Sequence, residues 1–299
     1  MTQEQAALQL EEERFWVYKR KLRDFWRLYR RSSLGKVGLV IVLSFVTVAL
    51  AAPWIAPYDP FTFVGDPFLK PSSAHILGTD QVGRDIFSRV IYGTRISLLI
   101  GLVASTMTIA LGSLIGLISG YLGGRVDNVL MRITDLFIIL PTLPLMLIMA
   151  SILGKGIQNI IIVITVISWT ATARMVRSQT MSLKERPFTE ASRAIGSTDL
   201  HTIARHIVPN VFPLVFANGM IAIVDAILAE AGLSFLGFGD PSQASWGMVL
   251  HFADIAGATV NGYWWYIVPP GICIMLLVMG FAFISYSTDQ ILNPRLRRR

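Results

Sequence analysis

The sequence predicts an all-α polytopic membrane protein with six transmembrane helices. Hydrophobic residues make up 53% of the 299 residues and charged residues only 15%, compared with about 25% charged residues in soluble domains. A helix needs about 20 mostly apolar residues to cross the hydrocarbon layer of a membrane. Six stretches meet this requirement, at residues 37–57, 96–120, 128–153, 157–173, 208–236 and 264–288. This composition excludes a soluble domain and an intrinsically disordered chain.

The distribution of basic residues predicts the side of the membrane on which each loop lies. Most of the 26 Lys and Arg residues precede residue 37, lie between residues 174 and 206, or fall in the tail at residues 289–299. Six spans place these segments on one side, and positively charged segments favour the cytoplasm. We therefore expect a multi-pass protein of the plasma (inner) membrane with both termini in the cytoplasm and residues 58–95 as an extracytoplasmic loop.

Residues 1–36 have the pattern of a cytoplasmic amphipathic helix, because large apolar residues recur at helical spacing among basic ones. Two interpretations of this segment remain open. It contacts an ATPase or another partner, or it lies on an anionic membrane surface.

In the extracytoplasmic loop, Gly78 and Thr79 are predicted to begin a helix that leads into the second span. Asp85 and Arg89 lie four residues apart, so we expect them to pair on the exposed face of that helix. The helix either docks a partner or is simply solvated.

Small residues and prolines predict how the spans pack. Gly112, Gly116 and Gly120 recur at four-residue steps in the second span, which favours close helix packing. Alternatively, the small residues let helices slide along this face during a conformational cycle. Pro141 and Pro144 predict a kink or local unwinding in the third span.

Four charged residues lie within the predicted spans. Arg132 and Asp135 are three residues apart and are predicted to neutralise each other. Asp225 lies seven residues after Asn218 in the fifth span, and it either lines a pathway or forms a buried hydrogen bond to a neighbouring helix. Glu230 lies nearer the outer end, where it is expected to reach the headgroup layer. We take Asn218, Asp225 and Glu230 as candidates for a translocation pathway.

The motifs of several enzyme classes are absent from the sequence. It contains no G-x-x-x-x-G-K-[ST] loop for nucleotide phosphates and no H-E-x-x-H zinc motif. The single cysteine, Cys273, excludes a disulfide within the chain and a Cys-based zinc or iron–sulfur site. We therefore expect no catalytic residue, no metal site and no bound cofactor in this chain, and no nucleic-acid partner.

The cytoplasmic loop at residues 174–207 is polar and basic and is predicted to form two short helices. Pro187 suits the first turn of a helix and Gly196 suits its C-terminal cap, while Ser197 or Thr198 can cap the next helix. A rigid helical projection on a membrane domain without a nucleotide motif suggests a contact for a separate ATPase.

This loop resembles the signature of permease subunits of binding-protein-dependent ABC importers. Glu190-Ala191-Ser192, then Gly196, then Ile207-Val208-Pro209 correspond to the E-A-A, three residues, G and distal I-x-L-P of that family, with Ser192 in place of the second alanine. Other segments are similar to the dipeptide, oligopeptide and nickel permeases of the second-subunit type. They include Ala56-Pro57-Tyr58-Asp59-Pro60, Leu77-Gly78-Thr79-Asp80, Gly120-Tyr121-Leu122-Gly123-Gly124, Leu233-Ser234-Phe235-Leu236-Gly237 and Asn293-Pro294-Arg295-Leu296.

The resemblance implies the type I ABC importer permease fold, with a five-helix permease core at residues 96–288 after the first span. It also implies a second homologous permease subunit, two ABC ATPase subunits that bind ATP and Mg, and an extracytoplasmic solute-binding protein. Transported solutes in this branch include peptides, nickel complexes and oligosaccharides. A coupling helix seated in a groove of one ATPase would contain Glu190, Ala191, Ser192, Arg193 and Gly196.

Two other classes of function compete with this interpretation. An ATPase-independent channel or secondary transporter would use Asp225, Glu230 and the pair of Arg132 and Asp135 as an ion path. An intramembrane hydrolase would need a reactive serine.

Overall fold

The computed structural model describes residue 23 and residues 26–292, and the regular elements in this part of the chain are helices. They are α1 (Ser33–Ile55), α2 (Ile86–Leu122), α3 (Gly124–Ile139), α4 (Thr142–Leu153), α5 (Ile157–Lys184), α6 (Pro187–Ala194), α7 (Asp199–Thr202), a π-helical stretch (Ile203–Ile207), α8 (Val208–Phe235), α9 (Trp246–Ile255) and α10 (Trp264–Leu292). Most of the predicted N-terminal amphipathic segment, and residues 293–299 of the predicted tail, lie outside the described residues.

Five helices are long and apolar enough to cross a membrane, and α3 and α4 supply a sixth crossing if this bent pair counts as one span. The predicted bounds of the first, fifth and sixth spans differ from those of α1, α8 and α10 by a few residues at most. The fourth predicted span, residues 157–173, is too short, because α5 continues to Lys184.

The third predicted span, residues 128–153, is not one straight helix. α3 and α4 meet at a bend of 95°. Leu140 has an extended backbone, with φ −75° and ψ 135°, which is the conformation that a following proline favours. The predicted kink at Pro141 is therefore confirmed. Pro144 causes no break, because it lies in the first turn of α4, where backbone N–H groups have no intrahelical partner.

The second span begins before its predicted bounds of 96–120. α2 starts at Ile86 and contains 37 residues, which is about 55 Å of helix. Asp85 caps it, because its carboxylate accepts a hydrogen bond of 2.8 Å from the backbone N–H of Ser88. The predicted helix start at Gly78 and Thr79 is wrong, since Thr79 instead forms an isolated β-bridge with Asp85.

The predicted exposed pair of Asp85 and Arg89 is also wrong. These residues are 1% and 0% exposed, and each has another partner. Arg89 Nη1 donates to Asp80 Oδ2 over 2.5 Å, as does Arg84 Nε over 2.7 Å, and His75 Nδ1 lies 3.0 Å from Asp85 Oδ1. Because a buried charge requires a partner, these five residues fold the loop against the start of α2, and we call them the loop network.

The bundle has two ends. α9 covers one end, where the ring N–H of Trp246 donates to the carbonyl of Val90 over 2.9 Å. The loop network lies at the same end, since the guanidinium groups of Arg84 and Arg89 lie 5.5 and 5.3 Å from the ring centre of Phe252 in α9. Tyr266 of α10 contacts the same loop, because its hydroxyl donates to Gln81 over 2.6 Å. α6 and α7 lie at the opposite end, beside the last turn of α2. We call these the α9 end and the α6 end.

Candidate functional site

At the α6 end, a proline and a glycine in the loop sequence set where α6 begins and ends. Pro187 lies in the first turn of α6, and Gly196 follows the helix with φ +83°, a left-handed conformation that favours glycine. The N–H of Gly196 donates to the carbonyl of Arg193 over 2.9 Å, and that of Ser197 donates to the carbonyl of Ser192 over 3.2 Å. These bonds satisfy carbonyls at the end of the helix. Pro187 and Gly196 therefore bracket the helix as the sequence predicts.

The second helix of the loop does not end before the fifth span. Thr198 caps α7, because its side chain accepts from the N–H of His201 over 3.3 Å. α7, the π-helical stretch and α8 then form one continuous helix from Asp199 to Phe235. A rigid connection therefore runs from the turn at Gly196 into the fifth span.

The side chains of α6 divide into an exposed and a buried face. Glu190, Ala191 and Arg193 are exposed, whereas Thr189 is fully buried and donates to the carbonyl of Leu183 over 2.8 Å. Ser192 is buried, and its hydroxyl has no hydrogen-bond partner within residues 26–292. The Ser192 hydroxyl therefore adds no hydrogen bond within the described residues that an alanine would lack.

Large apolar side chains extend the exposed face of α6. Phe188 is 42% exposed, Ile195 is 83% exposed and Leu200, in α7, is 76% exposed. These three exposed side chains lie on the same loop as the charged residues Glu190 and Arg193 of α6. An apolar centre with charged neighbours is a composition typical of protein interfaces.

Tyr121, in the last turn of α2, contacts both helices of the loop. Its hydroxyl donates to Asp199 Oδ1 over 2.6 Å. The guanidinium of Arg193 lies 5.0 Å from the centre of its ring, and the ammonium of Lys184 lies 5.7 Å from it, which are cation–π distances. We call Tyr121, Lys184, Arg193 and Asp199 the tyrosine clamp.

Gly112, Gly116 and Gly120 pack against α5, and we call them the glycine seam. Ideal Cβ atoms on these glycines would lie 2.6, 2.5 and 2.7 Å from backbone oxygens of α5, those of Trp169, Ala173 and Arg177. Such distances are too short for any side chain. The backbones of α2 and α5 are therefore in direct contact along the seam.

Asp127 joins three helices beside the glycine seam. It accepts two hydrogen bonds from Arg177 of α5, of 2.5 and 2.6 Å, and one of 2.5 Å from Ser119 of α2. The sequence resemblance to peptide permeases includes Asp127, which follows the Gly-Gly pair at the turn between α2 and α3, but the sequence did not predict its contacts. This ionic contact fixes α2, α3 and α5 at the α6 end.

The predicted pair of Arg132 and Asp135 is wrong. Asp135 instead accepts a hydrogen bond from Arg174 of α5, and both side chains are about half exposed. Arg174 approaches Asp135 from a facing helix, so the planar guanidinium reaches the carboxylate directly.

The three candidates for a translocation pathway occupy different environments. Asp225 is exposed on α8 and has no hydrogen bond or ion pair within the described part of the chain. Asn218 is half-buried and directs its amide toward Thr172 of α5 at 3.4 Å. Asp225 is thus the candidate that remains open to a solute or to another chain.

The prediction that Glu230 reaches the headgroup layer is wrong. It is fully buried and accepts hydrogen bonds from Ser234 over 2.8 Å and Ser97 over 3.2 Å. α9 covers this site, since the backbone N–H of Trp246 also donates to Ser97 over 3.3 Å. Glu230 therefore joins α2, α8 and α9, and the structure does not place it beside Asp225.

No group of three or more His, Cys, Asp or Glu side chains among the described residues has the arrangement of a metal site. The α6 end offers an exposed helix for a protein partner, and α8 offers an exposed carboxylate within an apolar span.

Comparison with known proteins places these features in a family. Residues 112–298 match the family model described as "Binding-protein-dependent transport system inner membrane component", and residues 21–71 match one described as "N-terminal TM domain of oligopeptide transport permease C". The chain is 33% identical over 277 residues to the dipeptide transport system permease protein DppC of Bacillus subtilis (strain 168), covering 92% of this chain and 86% of that protein.

A second relative has a similar level of identity. The oligopeptide transport system permease protein OppC of the same organism is 34% identical over 278 residues, covering 92% of this chain and 90% of that protein. Among solved structures, an inward-facing form of the MetNI methionine ABC transporter superposes with a TM-score of 0.55 at 20% identity, covering 72% of this chain and 98% of that chain. The latter likeness is one of fold.

Proposed function

Because this chain belongs to the family of binding-protein-dependent transport system inner membrane components, we propose that it moves peptides as one of two permease subunits of an ABC importer. The full-length similarity to permeases named for dipeptides and oligopeptides carries the choice of peptides. The two subunits would each contribute half of the pathway.

The proposed topology has six crossings, with the bent pair of α3 and α4 counted as one. The α6 end would face the cytoplasm together with both termini, and the α9 end would face the solute-binding protein. The concentration of basic residues before residue 37 and between residues 174 and 206 supports this orientation.

The proposed coupling contact is α6. Glu190, Ala191 and Arg193 are exposed there beside the apolar side chains of Phe188 and Ile195, so the helix suits a groove on an ATPase subunit. Two ATPase subunits would bind ATP and Mg, and this chain would bind no cofactor. Closure of the ATPases would displace α6 and switch the bundle from inward-facing to outward-facing.

The proposed contribution of this chain to the pathway is Asp225. A carboxylate within an apolar span costs free energy unless water, a solute or a partner residue contacts it. Asn218 lies on the same helix but faces α5, and the buried Glu230 is assigned to the joint of three helices instead. An ion path along Asp225 and Glu230, as an ATPase-independent transporter would need, has no support in this arrangement.

The proposal is tested by purification in mild detergent and by uptake. We expect ATPase subunits and a second permease to copurify with this chain. Gly196→Pro should keep the chain in the membrane but abolish peptide uptake, because proline cannot adopt φ +83°. Gly154→Pro is a matched control for the backbone strain alone. Gly154 has the same φ of +83°, has open surroundings and donates its N–H to a helix carbonyl. Purification without ATPase subunits, or full uptake by Gly196→Pro, would contradict the proposal.

A further inference from the structure

We propose that Tyr121 is a positioning residue that transmits displacement of α6 to the packed pair of α2 and α5. This inference rests on the proposed function, because it takes α6 as the helix that an ATPase moves. It adds the residue through which that motion enters the membrane-spanning helices.

The tyrosine clamp holds the loop on both sides of its turn. Arg193 belongs to α6, Asp199 begins α7, and the turn at Gly196 lies between them. Tyr121 contacts both, through its ring face and its hydroxyl. A displacement of α6 relative to α2 must therefore break these contacts or carry Tyr121 with it.

The ring of Tyr121 is firmly held. Only 2% of the residue is exposed, and it packs in one cluster with Val176 of α5 and with Ile207 and Val211 of the continuous helix. Lys184, the last residue of α5, lies over the same ring. A side chain that is packed this closely cannot shift without displacing the residues that it contacts.

Tyr121 is also adjacent to the glycine seam. The preceding residue, Gly120, lies so close to α5 that a Cβ would stand 2.7 Å from the carbonyl oxygen of Arg177. Arg177 in turn holds Asp127, which accepts from Ser119, two residues before Tyr121. Motion of Tyr121 is thereby passed to α2, α3 and α5 together.

The clamp differs from an ordinary core contact in its charges. Arg193 and Asp199 are both exposed, so these charges remain accessible to an ATPase while they contact Tyr121. A merely structural tyrosine would need no such link to the exposed face of α6.

The test compares two buried tyrosines at opposite ends of the bundle. Tyr121→Phe removes the hydroxyl bonded to Asp199, and Tyr266→Phe is the matched control, because the Tyr266 hydroxyl also makes a hydrogen bond of 2.6 Å, to Gln81. The measurement uses the full complex with its ATPase and solute-binding subunits in nanodiscs and proteoliposomes. It records peptide transported per ATP hydrolysed, together with the amount of assembled complex.

We expect Tyr121→Phe to lower the peptide transported per ATP by about fivefold, the effect of one ordinary hydrogen bond. Tyr121→Leu should lower it further, and both variants should retain ATPase subunits. Tyr266→Phe should leave the ratio unchanged. An unchanged ratio in Tyr121→Phe, or an equal fall in Tyr266→Phe, would overturn the inference.

A second comparison remains informative if Tyr121→Leu does not fold. Asp199→Ala removes the carboxylate that accepts the same hydrogen bond, and the double variant Tyr121→Phe with Asp199→Ala should be no worse than the more severe single variant. Fully additive effects would show that the two residues act independently and would overturn the inference. Failure of the wild-type chain to retain ATPase subunits would instead remove the proposed function on which it rests.

Discussion

The two ends of the bundle differ in the charged residues that they expose, although each contains an ionic contact, Asp80 with Arg89 at the α9 end and Asp127 with Arg177 at the α6 end. At the α9 end, Asp80 and Arg89 are fully buried and pair with each other, and Glu230 is buried among serine hydroxyls. At the α6 end, Glu190 and Arg193 are exposed. The difference indicates that the α9 end is locked by internal contacts, whereas the α6 end keeps charged groups available for a partner.

The largest expected effect comes from breaking the locked end. Asp80→Ala leaves Arg89 buried without its carboxylate, and loss of one member of a buried pair costs about 3–5 kcal/mol. We expect low abundance in membranes and a lower thermal unfolding temperature in detergent. Asp199→Ala, at the α6 end, is the comparison and should cost only about 1 kcal/mol, the value of one hydrogen bond. Equal losses in the two variants would contradict the contrast between the ends.

The glycine seam lies in the half of α2 nearer the α6 end and should tolerate no side chain. Gly116→Ala places a Cβ 2.5 Å from the carbonyl oxygen of Ala173, and overpacking of this kind costs about 1–3 kcal/mol. Gly232→Ala is the control, because no atom lies within 4 Å of a Cβ at that helical glycine. Thermal unfolding of both variants in detergent measures the difference. Equal stability of Gly116→Ala and Gly232→Ala would contradict the direct backbone contact between α2 and α5.

The two intramembrane carboxylates of α8 should respond differently. Glu230→Ala leaves hydroxyls of Ser97 and Ser234 without their acceptor, so we expect a loss of stability of about 1–3 kcal/mol. Asp225→Leu removes an exposed carboxylate, so stability should be retained while peptide uptake falls. Uptake and unfolding are measured on the same preparations. Normal uptake by Asp225→Leu would leave Asp225 without a role in the pathway.

The smallest effect on stability is expected at the tip of the α6 end. Ile195→Ser replaces a side chain that is 83% exposed, and surface substitutions of this kind change stability by less than about 0.5 kcal/mol. Retention of ATPase subunits during purification should nevertheless decrease. Val260→Ser, at a residue that is 91% exposed outside the α6 end, should retain them fully.

Local signals in the sequence predicted the parts of the structure that depend on local chemistry. Pro187 and Gly196 bracket α6 because one fits a first helical turn and the other a left-handed cap. Pro141 marks the break between α3 and α4, although the bend of 95° depends on how both helices pack. Apolar length located the first, fifth and sixth spans to within a few residues.

The pairing of charged residues could not be predicted in this way. Spacing within one helix favoured Arg132 for Asp135, but a residue of a different helix, Arg174, forms the contact. Hydropathy likewise gives no measure of which face of α8 is covered, so the burial of Glu230 depends on α9, which follows it in the chain. These contacts arise from tertiary packing.

The role of Tyr121 was not predicted for the same reason, although the residue belongs to a segment that resembles the peptide permeases. It follows directly after the last glycine of the seam, at the end of the four-residue repeat. A large aromatic residue at the end of a small-residue face marks where the close contact of two helices stops. The partners of that residue, Arg193 and Asp199, come from a distant segment and required the structure.

Site-specific crosslinking tests most directly the claim that the α6 end is the contact for an ATPase. In a Cys273→Ser background, which removes the single native cysteine, Ile195→Cys and Val260→Cys introduce one thiol at the α6 end and one outside it. We predict that a short crosslinker joins the chain to an ATPase subunit through Ile195→Cys and not through Val260→Cys. Crosslinking to the ATPase through Val260→Cys, with none through Ile195→Cys, would contradict the account.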